Sequence, residues 1–225
     1  MRVCHASDPP LARLPSPHLD AVWATPCQHS RGAEAEMPFP LPMDANTGEW
    51  IQSRRPGRVK PPVPKLLTVI RHANSGPHRP GTNDFDRPLD RRGQRDALEM
   101  GRRLAELPDP PSVLVASPAQ RAAETAKTIA ASFEPEPEIV WDRALYLAGA
   151  DTLLDTLFGL DPAHTHAALV GHNPGITDFV NCMANAGIED VPSCGVIRLQ
   201  LAIDDWRLAR PMRASLIDFD YPKRR

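Results

Sequence analysis

Residues 65–219 show a regular alternation of two hydrophobic patterns. Short continuous apolar runs, typical of strands buried on both faces of a sheet, lie at 66–70, 112–116 and 167–170. Apolar positions at helical spacing follow them at 91–107, 119–133, 151–160 and 174–186. Weaker strand patterns lie at 138–141, 195–203 and 214–219, and the last two alternate like strands that end a sheet, where an antiparallel strand is allowed. This order predicts an α/β sandwich with a mainly parallel sheet and helices on both faces.

The helical patterns also predict which side chains face the core. The predicted core positions of the first helix are Leu98, Gly101, Leu104 and Ala105. Those of the second are Ala122, Ala126, Ile129, Ala130 and Phe133, and those of the last are Ile176, Phe179, Val180 and Met183. Asn173 is predicted to cap the last helix, with Pro174 at its first position.

Residues 1–64 show neither the apolar runs of strands nor the helical spacing of apolar positions. Twelve of the 26 prolines precede Lys65. Proline fixes φ and removes a backbone donor, so a proline-rich segment cannot sustain a helix or a sheet. We therefore predict a disordered extension at 1–64 and a folded domain at 65–225.

Composition excludes several classes of function. A net charge of −2 gives no reason to expect nucleic-acid binding, and no apolar stretch reaches the roughly 20 residues of a membrane span. Prolines and charges interrupt any apolar leader near the N-terminus, so the cytoplasm is the expected location. No metal-site spacing joins the cysteines, which we expect to be free thiols in a reducing compartment: Cys4, Cys27, Cys182 and Cys194.

Charged side chains follow three of the predicted strands. The first strand ends at Arg71 and His72, the second is followed by Arg121, and the third strong strand is followed by His172. Ligands of parallel sheets bind at the carboxyl ends of strands, so these four side chains are expected at one edge of the sheet.

Such a cluster suits phosphate chemistry. Guanidinium groups bind phosphate oxygens with two hydrogen bonds, and the start of a helix adds free N–H groups. One imidazole can attack phosphorus, while another can bind a phosphate oxygen in the transition state. Cationic side chains supply the charge that a metal would give, so no cofactor is expected. A metal site at His72 and His172 is the rival hypothesis, but the nearby arginines repel cations and no H-x-x-x-H or H-E-x-x-H spacing is present.

Three sequence blocks carry a family resemblance. Residues 69–73 (VIRHA) resemble the R-H-G signature of the histidine phosphatase superfamily, with Ala73 in place of glycine. Residues 117–126 (SPAQRAAETA) resemble its S-P-x-x-R-A-x-x-T-A block, and residues 170–174 (VGHNP) resemble its V-G-H-x-P block. The resemblance covers 65–219 and implies a phosphoglycerate-mutase-like, three-layer fold. It also implies that His72 is the nucleophile, with Arg71, Arg121 and His172 forming the phosphate pocket.

The sequence differs from the mutases of this superfamily in one feature, which points to a particular branch of the superfamily. Residues 141–147 contain no glutamate to serve as the proton donor found in mutases, whereas residues 84–93 (DFDRPLDRRG) resemble a run found in the short phosphohistidine phosphatases of the SixA type. Asp84 and Asp86 are the candidate proton donors in this chain. Arg87 is a candidate substrate-binding residue, as are Asn74 and Ser75 beyond the nucleophile. We expect the remaining loop histidines to be solvated: His78, His164 and His166.

The leading hypothesis is therefore a phosphatase that acts on a phosphomonoester or on phosphohistidine in a partner protein. Its substrate would be a phosphorylated small molecule or a phosphohistidine protein, with no nucleic acid or membrane as partner. The alternative enzymes are a mutase and a phosphoanhydride hydrolase. The alternative outside catalysis is a regulatory module that binds phosphate but has lost activity.

Overall fold

The computed structural model of the protein describes residues 63–77, 81 and 83–223. The predicted extension at 1–64 lies outside the described residues except for its last two positions, so its disorder stays a prediction. The described strands are β1 (Lys65–Arg71), β2 (Val113–Ala116), β3 (Glu138–Trp141), β4 (His166–Gly171), β5 (Val196–Leu201) and β6 (Ala214–Asp220). The described α-helices are α1 (Arg91–Ala105), α2 (Gln120–Ala130), α3 (Ala150–Phe158) and α4 (Gly175–Ala184).

The six strands form one sheet in the order β3-β2-β4-β1-β5-β6. The first four strands pair in parallel, while β5 runs antiparallel to β1 and β6 runs antiparallel to β5. The mainly parallel sheet is confirmed, with β5 as the antiparallel strand near its end. Because β2, β4 and β1 are neighbours, their carboxyl ends meet, and the loops that carry the predicted site residues start side by side.

Alternate side chains of the central strands enter two different cores. Leu67 and Val69 belong to the core beneath α3 and α4, whereas Ile70 belongs to the core beneath α1 and α2. A strand covered by helices on both faces buries every side chain, which explains the continuous apolar runs in the sequence. The structure confirms the predicted sandwich with helices on both faces of the sheet.

The predicted buried faces of α2 and α4 are confirmed, but that of α1 is wrong at two positions. Leu98 is 44% exposed and Ala105 is exposed, while Ala97 and Met100 are buried. The reason lies at Gly101, where a Cβ atom would come within 2.4 Å of the Ser132 hydroxyl. The buried stripe of α1 follows this close approach along Ala97, Gly101 and Leu104, and Leu98 lies outside it.

The start of α4 also differs from its prediction. The helix begins at Gly175, and the Asn173 side chain donates to Asp190 Oδ1 (2.6 Å) and to the Val191 carbonyl (3.1 Å) instead of capping the helix. A Cβ atom at Gly175 would lie 1.8 Å from the Ala148 carbonyl oxygen. Only glycine therefore lets the loop before α3 lie against the start of α4.

Among the helices within the described ranges, none is both long and apolar enough to cross a membrane.

Candidate active site

Three of the four predicted pocket residues are in close contact. The ring centroids of His72 and His172 are 5.0 Å apart, and Arg121 Nε donates to His72 Nε2 at 3.3 Å. Arg121 is 4% exposed, although it lies at the start of a helix where a positive charge is unfavourable for the helix dipole. The three loops that follow β1, β2 and β4 therefore bring these side chains together, as the sequence predicted.

Arg71 lies beside this group at the end of β1. Its guanidinium is anchored by Asp190 Oδ2 at 3.0 Å and also donates to the Val191 carbonyl. Its Nε is buried and has no hydrogen-bond partner in the described part of the chain. One face of the guanidinium is thus held in place while a donor remains free.

His72 is oriented by its own backbone. Its Nδ1 lies 2.8 Å from the Ala73 carbonyl oxygen, which can only accept, so we assign the ring proton to Nδ1. The lone pair is then on Nε2, on the side of Arg121. Burial lowers the pKa of His72 to about 4 despite the opposing hydrogen bond to Ala73, and the charge of Arg121 lowers it further. The imidazole is therefore neutral and nucleophilic at neutral pH.

Thr125 joins the His72 loop to α2. Its hydroxyl accepts from the Ala73 N–H at 3.0 Å and donates to the Arg121 carbonyl at 2.7 Å. The residue is fully buried, so both hydrogen bonds are shielded from water. The backbone next to His72 and the backbone of Arg121 are consequently held by one side chain.

His172 presents a free ring nitrogen. Ser117 Oγ accepts from the Ala119 N–H at 3.3 Å, and its own hydroxyl is left to donate to His172 Nε2 at 2.9 Å. We assign the ring proton of His172 to Nδ1, with the Ser117 hydroxyl donating to Nε2, and Nδ1 is buried without a partner among the described residues. Burial lowers the pKa of His172 to about 3, and the charges of His72 and Arg121 act in the same direction. A buried N–H group without an acceptor destabilises the folded state, and a phosphate oxygen could accept its hydrogen bond.

Asp84 lies at the centre of a set of hydrogen-bond donors. Its carboxylate accepts from Arg87 (2.7 Å), Arg121 (3.0 Å) and the Tyr146 hydroxyl (2.9 Å). Burial acts to raise the pKa of Asp84, but the hydrogen bonds from Arg87 and Tyr146 and the charge of Arg121 outweigh it and hold the pKa at about 2. Asp84 is therefore ionised at neutral pH and has no proton to donate in this arrangement.

The other predicted site residues make their contacts with neighbouring loops and with the start of α1. Ser75 Oγ accepts from Arg87 at 2.9 Å and so reaches the site only through that arginine. Asn74 donates to Asp90 Oδ2 at 2.6 Å, and Asp90 caps α1, so Asn74 anchors its loop to a helix rather than facing the phosphate pocket. Asp86 is exposed and lines a groove with Pro77 and Leu89. In the structure Asn74 therefore contacts Asp90 and Asp86 lines this groove, and their predicted roles with substrate stay predictions.

Tyr146 is the main site residue to which the sequence analysis gave no role. Its ring stands edge-on to His172, with centroids 5.5 Å apart, and also contacts Phe85. It lies within residues 141–147, a stretch distinguished in the sequence only by its lack of a glutamate. The S-P-x-x-R-A-x-x-T-A block could have drawn attention to Ser117 and Thr125, but no local pattern marks Tyr146.

Three loop histidines were predicted to be solvated, and the prediction is wrong for His166. This side chain is buried between the Thr68 hydroxyl, 2.8 Å from Nε2, and the Asp109 carbonyl. His164 is partly exposed, and its Nδ1 lies 2.8 Å from Ser112 Oγ. His78 lies outside the described residues. Within the described ranges, no three His, Cys, Asp or Glu side chains form a group that could hold a metal ion.

The titration of His72 is a direct test of the site's electrostatics. Since burial lowers its pKa to about 4, we expect its ring resonances in a histidine NMR titration to have a midpoint near that value, well below the ordinary 6.5. The unfolded chain binds more protons between these two values, so this group makes the folded state less stable as pH falls from 6.5 towards 4. Assignment by His72→Gln identifies the resonance. A midpoint at or above 6.5 would contradict the proposed neutral imidazole.

Comparison with known proteins agrees with the geometry. Residues 67–145 match the sequence model of the histidine phosphatase superfamily (branch 1). A crystal structure from Agrobacterium tumefaciens, of a protein named for the phosphohistidine phosphatase SixA, matches with a TM-score of 0.61 and 26% identity, over 71% of this chain and 99% of that chain. A similarly named protein from Nakamurella multipartitia has the same fold, with a TM-score of 0.63 and 23% identity over 73% of this chain and all of that chain (100%).

A sequence relative comes from a plant. An uncharacterized chloroplast protein of Arabidopsis thaliana is 25% identical over 156 residues, which make up 65% of this chain and 71% of the plant protein. Together with the sheet order and the convergence of His72, Arg121 and His172, these similarities show that residues 67–145 are similar to the histidine phosphatase superfamily and that the fold resembles those of proteins named for SixA.

Proposed function

We propose that this phosphatase transfers a phosphoryl group from its substrate to Nε2 of His72 and then to water. In the first step the N–P bond forms as the bond from phosphorus to the leaving group breaks, and the leaving group departs with the electron pair. In the second step water attacks phosphorus, the N–P bond breaks, and inorganic phosphate and neutral His72 are regenerated. The observation that carries this proposal is the neutral His72 ring, with its proton fixed on Nδ1 by Ala73 and its lone pair next to Arg121.

The surrounding groups would stabilise the charge of the transferring phosphoryl group. Arg121 is buried, and Arg71 is anchored by Asp190 with its Nε unpaired among the described residues. His172 would donate its unpaired Nδ1–H to a phosphate oxygen. Preorganised donors of this kind stabilise the transition state because they need no reorganisation during the reaction. Arg87, held by Asp84 and Ser75, is placed to bind a more distant part of the substrate or a phosphate oxygen.

The acid chemistry of the site favours a substrate with a good leaving group. Of the two candidate proton donors, Asp84 is ionised at the site and Asp86 is exposed. Residues 141–147 contain no glutamate. A phosphohistidine leaves more readily than a sugar alkoxide when no strong acid assists it. We therefore propose phosphohistidine on a partner protein as the preferred substrate class, and the name of the A. tumefaciens relative supports this choice. Phosphomonoesters of small molecules are the second class.

The remaining alternatives can be separated by one set of assays. A phosphohistidine protein, p-nitrophenyl phosphate, a nucleoside triphosphate and a sugar phosphate would be compared by kcat/KM. We expect the order phosphohistidine, then p-nitrophenyl phosphate, then sugar phosphate. A phosphoanhydride hydrolase would favour the triphosphate, a mutase would return phosphate to a sugar hydroxyl, and a phosphate-binding module would turn over none of them.

The proposed chemistry needs no metal ion. We expect dialysis against EDTA to leave kcat/KM for p-nitrophenyl phosphate unchanged, because arginine and histidine donors neutralise the phosphoryl charge. Vanadate should inhibit competitively by occupying the same donors. Activity that is lost in EDTA and restored by Mg²⁺ or Zn²⁺ would contradict the proposed mechanism.

We also propose a cytoplasmic location. The described cysteines, Cys182 and Cys194, are free thiols, as is usual in a reducing compartment. Cell fractionation with an antibody against the chain tests this directly.

A further inference from the structure

The anion-binding groups of the pocket already hold an anion that belongs to the protein. Arg121 donates from one terminal nitrogen to the Asp84 carbonyl oxygen (2.6 Å) and from the other to the Asp84 carboxylate (3.0 Å), while its Nε faces His72. Each nitrogen of this guanidinium therefore has a partner. A phosphate group that took the N–H groups now donated to Asp84 would have to displace this residue from them.

Arg87 and Tyr146 are occupied in the same way. The other carboxylate oxygen of Asp84 accepts from Arg87 NH1 at 2.7 Å, and the Tyr146 hydroxyl donates to the oxygen that Arg121 also binds. Three donors from three separate parts of the chain thus converge on one carboxylate. A tetrahedral oxyanion prefers the same kind of donor set.

Asp84 is also able to leave. Its side chain is 39% exposed, whereas that of Arg121 is 5% exposed. It begins a short turn (Asp84–Asp86), and the cap of that turn is Asn83, so the carboxylate itself caps no helix. Movement of this side chain would leave the buried arginine where it is.

We propose that Asp84 is an internal counter-anion that competes with phosphate for Arg121, Arg87 and Tyr146. It is a positioning residue: it holds the two guanidiniums in the empty site and yields them to the phosphoryl group of the substrate. When inorganic phosphate is formed, the carboxylate returns to the same donors and helps to expel it. The site is thereby kept from binding its own product tightly. This inference rests on the proposed function, because it assumes that these arginines bind the transferring phosphate.

The decisive variant is Asp84→Asn, which keeps the size of the side chain and removes its charge. We expect Asp84→Asn to bind inorganic sulfate, a stable dianion with the shape of phosphate, about tenfold or more tightly than the wild type in calorimetric titrations at neutral pH, since sulfate no longer displaces a carboxylate from charged donors. The inhibition constant of inorganic phosphate in turnover assays should fall by a similar factor. Asp86→Asn removes the same charge two residues away, on an exposed side chain, and should change neither constant.

Equal or weaker sulfate binding by Asp84→Asn, including undetectable binding by both proteins, would overturn the proposal. A second measurement uses the unaltered chain. In a crystal structure with tungstate in the pocket, the Asp84 carboxylate should no longer contact Arg121, and a bound tungstate with that contact intact would equally overturn it. The proposed function fails on a different result, namely full turnover by His72→Ala, so the two failures can be told apart.

Discussion

Replacing His72 with alanine is expected to reduce turnover by about 10⁴-fold or more for every substrate, because no other group can form the covalent intermediate. The fold should be retained, since the hydrogen bonds of the ring within the described ranges go to its neighbour Ala73 and to Arg121. Stopping the wild-type reaction with a ³²P-labelled substrate should give an adduct that is stable in base and labile in acid, as expected of an N–P bond.

A matched control is available for this variant. His164 is also a histidine, but it lies outside the site and contacts Ser112. His164→Ala should keep normal kcat and normal labelling. If His72→Ala retains activity close to that of the wild type, or if the label is found on another residue, covalent catalysis by His72 is wrong.

The second large effect is expected at Arg121. Arg121→Ala should lower kcat by about 10²–10³-fold, the usual range for a preorganised donor that acts in the transition state. The loss should be similar for p-nitrophenyl phosphate, phosphohistidine and alkyl phosphates, because charge on the phosphoryl oxygens changes in the same way for all of them. Arg121→Lys keeps the charge but loses the forked geometry, and should recover only part of the rate.

Arg92→Ala serves as the control for Arg121. Arg92 lies on the outer face of α1 and pairs with Asp96 at 3.4 Å, so its loss should leave kcat unchanged. Circular dichroism and thermal unfolding would show whether each variant is folded. A folded Arg121→Ala variant that loses activity only with poor leaving groups would assign Arg121 to leaving-group chemistry instead of phosphoryl stabilisation.

The sequence predicted those features that depend on local pattern. Strands β1, β2 and β4 were recognisable because burial on both faces gives each of them a nearly continuous apolar run. Their order in the sheet could not be derived from the pattern, but the rule that ligands bind at strand carboxyl ends was enough to group His72, Arg121 and His172. The rule works here because β2, β4 and β1 are neighbours in the sheet.

The sequence said less about which groups an individual side chain contacts, because those contacts depend on the tertiary structure. Asn74 was assigned to phosphate from its position beside His72, yet Asp90 lies within hydrogen-bond reach and takes its amide. His166 was assigned to solvent from its loop-like flanks, yet β4 begins there and buries it. Tyr146 reaches His172 only because β3 lies next to β2 and the following turn crosses towards the site. None of these relationships has a signature within a short window of sequence.

Thr125 has a consequence for attempts to change the specificity of this enzyme. Because its hydroxyl bonds both to Ala73 and to the backbone of Arg121, it ties the backbone beside the attacking group to the backbone of the main oxyanion donor. Libraries for directed evolution should therefore leave Thr125 and the Asp84-bound Tyr146 unchanged and place diversity at Phe85, whose ring packs against Tyr146. Substitutions there can reshape the entrance while the reacting atoms stay in register.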